Sequence, residues 1–294
     1  GIDGTMFDDG VVMRLAPDHF FVTTSTSHAA AVLDWMEDWL QSEWPDLAVW
    51  VGSVTEQWAT VAVVGPASRA VVKLLLPAVD WSPEGFPFMA VRRLALPSGA
   101  PVQVARVSFS GELAYEVSVA ASFGRSLWTA ALAAGASHGI VPYGTETMMA
   151  LRAEKGYLVV GQDTEAGTTP ADVGLARITT KPDFVGKRAQ ARSDLQRADR
   201  RQLVGFLPED PTALGPFGAV VVADPHQPPP MTVLGHVTAS HSSEVLGRTF
   251  GLALVRGGTT RHGERLSVVA ADRAWPVTLC SPVHYDPSGG RRDG

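Results

Sequence analysis

Gln202-Leu203-Val204-Gly205-Phe206 opens a stretch in which short apolar runs recur with no helical period between them. The others are Ala219 to Ala223, Thr232 to Thr238, Gly251 to Val255, Leu266 to Val269 and Trp275 to Leu279, separated by segments rich in Gly and Pro. Regularly spaced strands with turn punctuation and no intervening helix predict a small closed β-barrel.

The residues ahead of Gln202 have a different texture. Val11 to Leu15 and Phe20 to Thr24 are β-rich and flank Ala16-Pro17-Asp18, whose turn chemistry predicts a hairpin. Ala29 to Leu40 carries Val32, Leu33, Trp35, Met36 and Leu40 on one helical stripe, and that helix is expected to cover the hairpin. After Pro45 come two strand-like segments, Leu47 to Val51 and Thr60 to Val64. Gly65-Pro66 then introduces a helix from Ala67 to Leu76. The segment from Pro77 to Pro101 reads as irregular apart from a strand around Ala90 to Leu96, with Phe86-Pro87-Phe88 as packing. Val102 to Ser108 and Ala114 to Val119 form a second hairpin around Ser110-Gly111-Glu112. A helix from Ser122 to Ala134 follows, ended by Gly135. Another helix runs from Thr145 to Lys155 and stops at Gly156, and Gly161 to Thr169 is a polar loop. The expected fold class is α+β, with antiparallel-sheet and helix layers followed by a C-terminal small β-barrel.

Composition bounds the function. The 294 residues exceed one average core, so more than one domain is expected. Hydrophobic residues make up 45% and charged residues 18%, which describes a globular chain with no sign of disorder. A formal net charge of -6, without a clustered Lys/Arg stripe, weighs against nucleic acid as the partner. Cys280 is the single cysteine, which excludes internal disulfides and cysteine-held metal clusters and fits a reducing cytoplasm. No secretion signal is visible at the start, and apolar stretches such as Val61 to Val64 and Leu74 to Leu76 are too short to cross a bilayer. A soluble protein is expected, with no membrane partner.

Two carboxylate positions carry chemical interest. Asp8 and Asp9 precede Gly10 and an apolar strand; since successive strand residues face opposite ways, at most one is expected to be buried. A buried one has its pKa pushed upward, which suits proton handling or holding a cation. A solvated turn before a strand explains the same pair. Glu154 falls in the last turn of its helix, where the macrodipole disfavours a negative charge. It is either an ion-pair partner of Arg152 or Lys155, or a buried carboxylate placed to accept two hydrogen bonds from an amino-pyrimidine edge.

Other motifs carry less. Gly135-Ala136-Ser137-His138-Gly139 matches the G-x-S-x-G pattern of a nucleophile elbow, but a helix precedes it where that motif requires a strand. Dinucleotide, P-loop and zincin motifs are absent from the sequence. The eight histidines are scattered, and His236 and His241 read as structural or surface residues.

Several stretches, in order, resemble the aminomethyltransferase superfamily, which includes the glycine-cleavage T-protein. They are Asp8-Asp9 before a hairpin, Ser110-Gly111-Glu112-Leu113-Ala114-Tyr115-Glu116, Arg152-Ala153-Glu154 and Gly161-Gln162-Asp163. Pro170-Ala171-Asp172-Val173-Gly174-Leu175, Asp183-Phe184-Val185-Gly186-Lys187, Leu246-Gly247-Arg248 and Leu252-Ala253-Leu254-Val255 continue the series. The run from Arg152 to Lys187 is the most specific. Thr55-Glu56-Gln57-Trp58-Ala59-Thr60, Phe86-Pro87-Phe88-Met89 and Pro142-Tyr143-Gly144-Thr145-Glu146-Thr147 look like the sarcosine oxidase branch, the folate-binding half of its alpha subunit.

The resemblance implies an aminomethyltransferase-like fold that is N-terminally truncated, since the roughly ninety residues that normally precede the Asp-Asp pair are absent. Its expected boundaries are a partial ferredoxin-like α+β domain over 1–53, a folate-binding α+β domain over 54–165, a linker over 166–198 and the barrel domain over 199–294. It implies tetrahydrofolate as the cofactor, Asp9 as the catalytic aspartate and Glu154 as the residue that grips the pterin. Tyr115, Arg188, Arg248 and Tyr285 are implied as further folate-site residues, with no metal. The implied activity is capture of the iminium or formaldehyde carbon from oxidative demethylation of sarcosine, giving 5,10-methylenetetrahydrofolate. Flavin and NAD are expected only on other domains or subunits, and flavin-bearing subunits of a hetero-oligomeric oxidase are the expected partners. Gly111-Glu112-Leu113-Ala114-Tyr115-Glu116 departs from the usual Gly-Glu-Asp-Gly-Tyr-Glu hairpin, which puts docking of a lipoyl carrier in doubt. The alternatives are an aminomethyltransferase or dimethylglycine dehydrogenase folate domain, or a non-catalytic folate-binding scaffold. In the iron–sulfur maintenance relatives a cysteine separates the glycine and tyrosine that are adjacent here as Gly156-Tyr157, which argues against that branch.

Overall fold

The β-rich runs on either side of Ala16-Pro17-Asp18 do pair. In the computed structural model, which describes residues 1–271 and 273–294, β1 (Val12–Ala16) lies antiparallel to β2 (His19–Val22). The described chain forms two compact units, residues 8–143 with 289–294 and residues 1–7 with 144–288.

In the unit of residues 8–143, helix α1 (Ala29–Ser42) follows the hairpin, but Val32 is its one buried residue. The expected cover of the hairpin is corrected accordingly. Met13 is buried against Ala105 and Val107, with Val11, Leu15, Phe21 and Val91 around them, so sheet residues cover the hairpin's inner face. The stretch 47–51, expected as a strand, is irregular, and Leu47, Val49 and Trp50 are exposed. A β-rich run becomes a strand only when another strand satisfies its backbone, and among the described residues none pairs with it.

The remaining strands of this unit are β3 (Trp58–Val64), β4 (Val91–Ala95), β5 (Pro101–Ala105) and β6 (Ala114–Ala120). They form a four-stranded antiparallel sheet in the order β3-β6-β5-β4. Helices α2 (Ser68–Leu75) and α3 (Gly124–Gly135) pack against it. Alternation along β5 and β6 turns Val102, Val104, Tyr115, Val117 and Val119 into one core with Val72, Trp81, Phe86 and Leu127. Phe86, read from the sequence as packing, is fully buried and stacks on Trp81 with ring centroids 5.1 Å apart. The Gly135–Gly139 motif lies in the last turn of α3 and a 3₁₀ turn over Ala136–His138, not on a strand-to-helix elbow.

The other unit begins, after residues 1–7, with α4 (Thr145–Glu154), passes a short helical turn α5 (Lys187–Gln190) and ends in the barrel. Its strands are β7 (Arg201–Pro208), β8 (Val220–Val222), β9 (Val233–Ser243), β10 (Arg248–Arg256), β11 (Arg265–Ala270) and β12 (Arg273–Cys280). They close in the order β10-β7-β12-β11-β8-β9. Val204, Phe206, Val221, Val237, Val255, Leu266, Val268, Val277 and Leu279 form the interior. Phe250, Leu252 and Leu254 of β10 belong to a second buried cluster with Ala153 and Leu158, in and after α4. Burying each such side chain contributes roughly 1.5–3 kcal/mol, so α4 is held firmly on the barrel wall.

Candidate functional site

The end of α4 is built by a glycine. Gly156 has φ +70°, and its N–H donates to the Ala153 carbonyl while Tyr157 N–H donates to the Arg152 carbonyl at 2.9 Å. This Schellman arrangement stops the helix and makes Glu154 its last residue. Glu154 is only 5% exposed. Its carbonyl accepts two backbone N–H groups, from His284 and Tyr285, each at 2.9 Å. The basic residues beside it engage other carboxylates. Arg152 forms a fully buried ion pair with Asp163, which also accepts from Thr238 Oγ1 and from Val159 N–H at 2.8 Å. Lys155 Nζ pairs with Asp286 Oδ2 at 2.8 Å. The Glu154 side chain is thus buried at the C-terminal end of the helix.

The aspartate pair divides its two side chains. Asp8 turns inward, its side chain 6% exposed: Oδ2 accepts Ser25 N–H at 3.0 Å, Oδ1 accepts Ser25 Oγ–H at 2.5 Å, and His28 Nδ1 lies 3.3 Å from Oδ1. Asp9 remains an exposed residue. Partial burial of its carboxyl and the neighbouring charge of Asp8 nonetheless push its pKa above the usual carboxylate range. Gly10 allows the close approach behind this pair, because a Cβ there would sit 1.9 Å from the Thr23 carbonyl oxygen. Val11 N–H donates to Thr23 Oγ1 at 3.0 Å and Thr23 N–H to the Val11 carbonyl, so the turn is tied to the strand end.

The other candidates fall in different surroundings. Tyr115 is fully buried in the core of its sheet, edge-on to Trp81 and Phe86, and its hydroxyl accepts from Arg69 Nε at 3.3 Å. Arg188 is exposed on α5. Arg248 opens β10 and donates to the Pro208 carbonyl. Burial pushes the His284 ring below its usual range, with a smaller downward push from the Arg248 charge, whereas burial raises the Cys280 thiol and Arg248 opposes that only in part. Tyr285 is hydrogen-bonded through its backbone to Glu154, so Glu154 and Tyr285 are brought together. His284 itself escaped the sequence reading. Ser281-Pro282-Val283-His284-Tyr285-Asp286 follows the last barrel strand and has neither strand nor helix periodicity to single it out. Glu116 was also missed as a titrating group: burial pushes its carboxyl upward, and Tyr143 is raised by its own burial and, less, by the Glu116 charge. Among the described residues no cluster of His, Cys, Asp and Glu could hold a metal ion, and no helix is long and apolar enough to cross a membrane.

Residues 2–182 match the GCVT N-terminal domain, and residues 201–286 match the glycine cleavage T-protein C-terminal barrel domain. The chain belongs to the glycine cleavage T-protein family. The sarcosine oxidase subunit alpha of Corynebacterium sp. (strain P-1) is 49% identical over 297 residues, covering 99% of this chain and 30% of that protein. The sarcosine oxidase subunit alpha of Rhizobium meliloti (strain 1021) is 41% identical over 294 residues, covering 98% of this chain and 30% of that protein. The chain thus spans about 30% of the length of these curated relatives. The glycine cleavage system aminomethyltransferase T from Bartonella henselae superposes with a TM-score of 0.78 at 20% identity, over 98% of this chain and 74% of that one. Sheet and helix layers followed by a closed barrel are therefore the aminomethyltransferase fold.

Proposed function

We propose that this chain is a tetrahydrofolate-binding, one-carbon-accepting domain that acts within a sarcosine oxidase alpha subunit. One observation carries the proposal: Glu154, in the Arg152-Ala153-Glu154 motif of the T-protein family, is a carboxylate buried at the end of a helix. An ionised carboxylate only accepts hydrogen bonds, and its two oxygens match the paired N–H donors on the amino-pyrimidine edge of a pterin. The residues present therefore fit the group.

Bound tetrahydrofolate supplies the nucleophilic nitrogen that captures the carbon of an N-methyl iminium ion, giving 5,10-methylenetetrahydrofolate and the demethylated amine. Glu154 orients the pterin. Asp9, ionised, stabilises the cation, and its raised pKa suits it to take the proton released as that nitrogen attacks. Tyr285, held against the end of α4, Arg248, at the start of β10, and the exposed Arg188 are proposed folate contacts. Tyr115 contributes by setting β6 in place from within the core. The iminium ion would be generated at a flavin on another subunit, with NAD also held elsewhere, in a cytoplasmic hetero-oligomeric oxidase. Capture at a bound folate outruns loss of formaldehyde to water because the reactants are held together.

The test is titration of the intact protein with tetrahydrofolate, together with the yield of methylenetetrahydrofolate during sarcosine turnover. Glu154→Gln should weaken binding about tenfold or more, the effect of losing a charged hydrogen-bond partner. Asp9→Asn should leave binding in place and divert product to free formaldehyde. Unchanged binding in the glutamate variant would refute the assignment.

A further inference from the structure

The stretch after β12 is fastened along the end of α4 at four points. His284 and Tyr285 donate their backbone N–H groups to the Glu154 carbonyl, and Lys155 Nζ reaches both the carbonyl and the carboxylate of Asp286. Gly156 abuts Pro282 so closely that a Cβ there would lie 2.6 Å from the Pro282 carbonyl oxygen. The last carbonyls of a helix lack intrahelical donors, so residues 281–286 supply what the next turn would have supplied. Asp286 has φ +46°, in the left-handed region that Asp tolerates better than most residues with a side chain.

The ring of His284 fastens this stretch to the barrel. Its Nε2 lies 3.1 Å from the Gly251 carbonyl oxygen, which can only accept, so Nε2 carries the proton. In the neutral ring Nδ1 then holds the lone pair, and Cys280 Sγ stands 3.9 Å from it as a thiol donor. The ring also packs edge-on against Phe250, with centroids 4.8 Å apart. One side chain thereby ties β10, the end of β12 and the stretch 281–286 to each other.

We propose that His284 is a positioning residue for folate recognition: its ring locks residues 281–286 to β10, and the amides of His284 and Tyr285 fix the last turn of α4 and so the direction of the Glu154 carboxylate. This rests on Glu154 as the pterin-gripping residue. The position of a bidentate acceptor is what sets its value, since both hydrogen bonds are lost when the carboxylate swings away.

The test is a double-mutant cycle in the intact protein, read as the dissociation constant for tetrahydrofolate under anaerobic conditions. His284→Ala should weaken binding about tenfold, the scale of one well-placed hydrogen bond, and His284→Gln should recover most of it because its amide can still donate to Gly251. In a Glu154→Gln background, His284→Ala should cause no further loss, because two residues acting through one contact are non-additive. Equal losses in both backgrounds, or unchanged affinity in His284→Ala, would overturn the positioning role. If Glu154→Gln itself binds as tightly as the unaltered protein, the pterin assignment fails instead. Should His284→Ala not fold, Lys155→Gln loosens the other end of the same stretch. It must weaken binding in the unaltered background and leave Glu154→Gln unchanged; any other result overturns the proposal.

Discussion

Arg152 and Asp163, 11 residues apart, form an ion pair that neither side chain exposes to solvent. Thr238 from β9 and the Val159 amide donate to the same carboxylate, so the pair fastens the end of α4, the loop after it and the barrel wall. Removing one member leaves the other charge buried without compensation. Asp163→Ala is therefore expected to cost about 3–5 kcal/mol, against a smaller loss for Asp163→Asn, which keeps an acceptor. Denaturant unfolding of both variants, compared at constant m-value, checks this.

Asp8 and Asp9 should part company on mutation. Asp8 accepts from Ser25 N–H and Oγ–H within the fold, so Asp8→Ala is expected to destabilise by about 1–3 kcal/mol. Asp9 is the exposed member, and Asp9→Asn should change stability by less than about 0.5 kcal/mol. Its effect should fall on one-carbon capture, with methylenetetrahydrofolate yield reduced on the order of a hundredfold. Thermal melts and product analysis on the same two preparations separate the roles; a large loss of melting temperature in Asp9→Asn would reverse them.

Glu116 gives a pH signature. Burial raises its carboxyl pKa in the folded state above that of the exposed carboxyl in the unfolded chain. The folded protein then binds more protons than the unfolded chain between those two values, so stability falls as pH rises through that window. Well below the ordinary glutamate range both states are protonated and the effect vanishes. Glu116→Gln is expected to raise the melting temperature at neutral pH and to have little effect at pH about 4. Melting curves across that range for the two proteins should converge on the acid side.

Cys280 should be inert. Burial pushes its thiol up to about 11, with the Arg248 charge opposing in part. At pH 8 roughly one thiol in a thousand is ionised, and the thiolate is the reactive form. Alkylation followed by mass spectrometry should be slow in the folded protein at pH 8, faster as pH approaches 11, and complete once the protein is denatured. Rapid labelling of folded protein at pH 8 would contradict the packing of Cys280 against His284.

What was legible in the amino-acid order was whatever nearest neighbours decide. The barrel strands were visible because each is a short β-rich run closed by Gly or Pro. The end of α4 was visible because Gly156 adopts φ +70° without strain. That at most one of Asp8 and Asp9 could be buried followed from side-chain alternation. Tertiary structure alone decided that Asp8 is the buried one, because its hydrogen-bond partners Ser25 and His28 stand 17 and 20 residues away. It also put Tyr115 wholly inside the sheet core, left 47–51 without a partner strand, and set His284 under the last turn of α4. These outcomes turn on which distant segment supplies a hydrogen-bond partner or a packing face, and local propensity holds no record of that pairing.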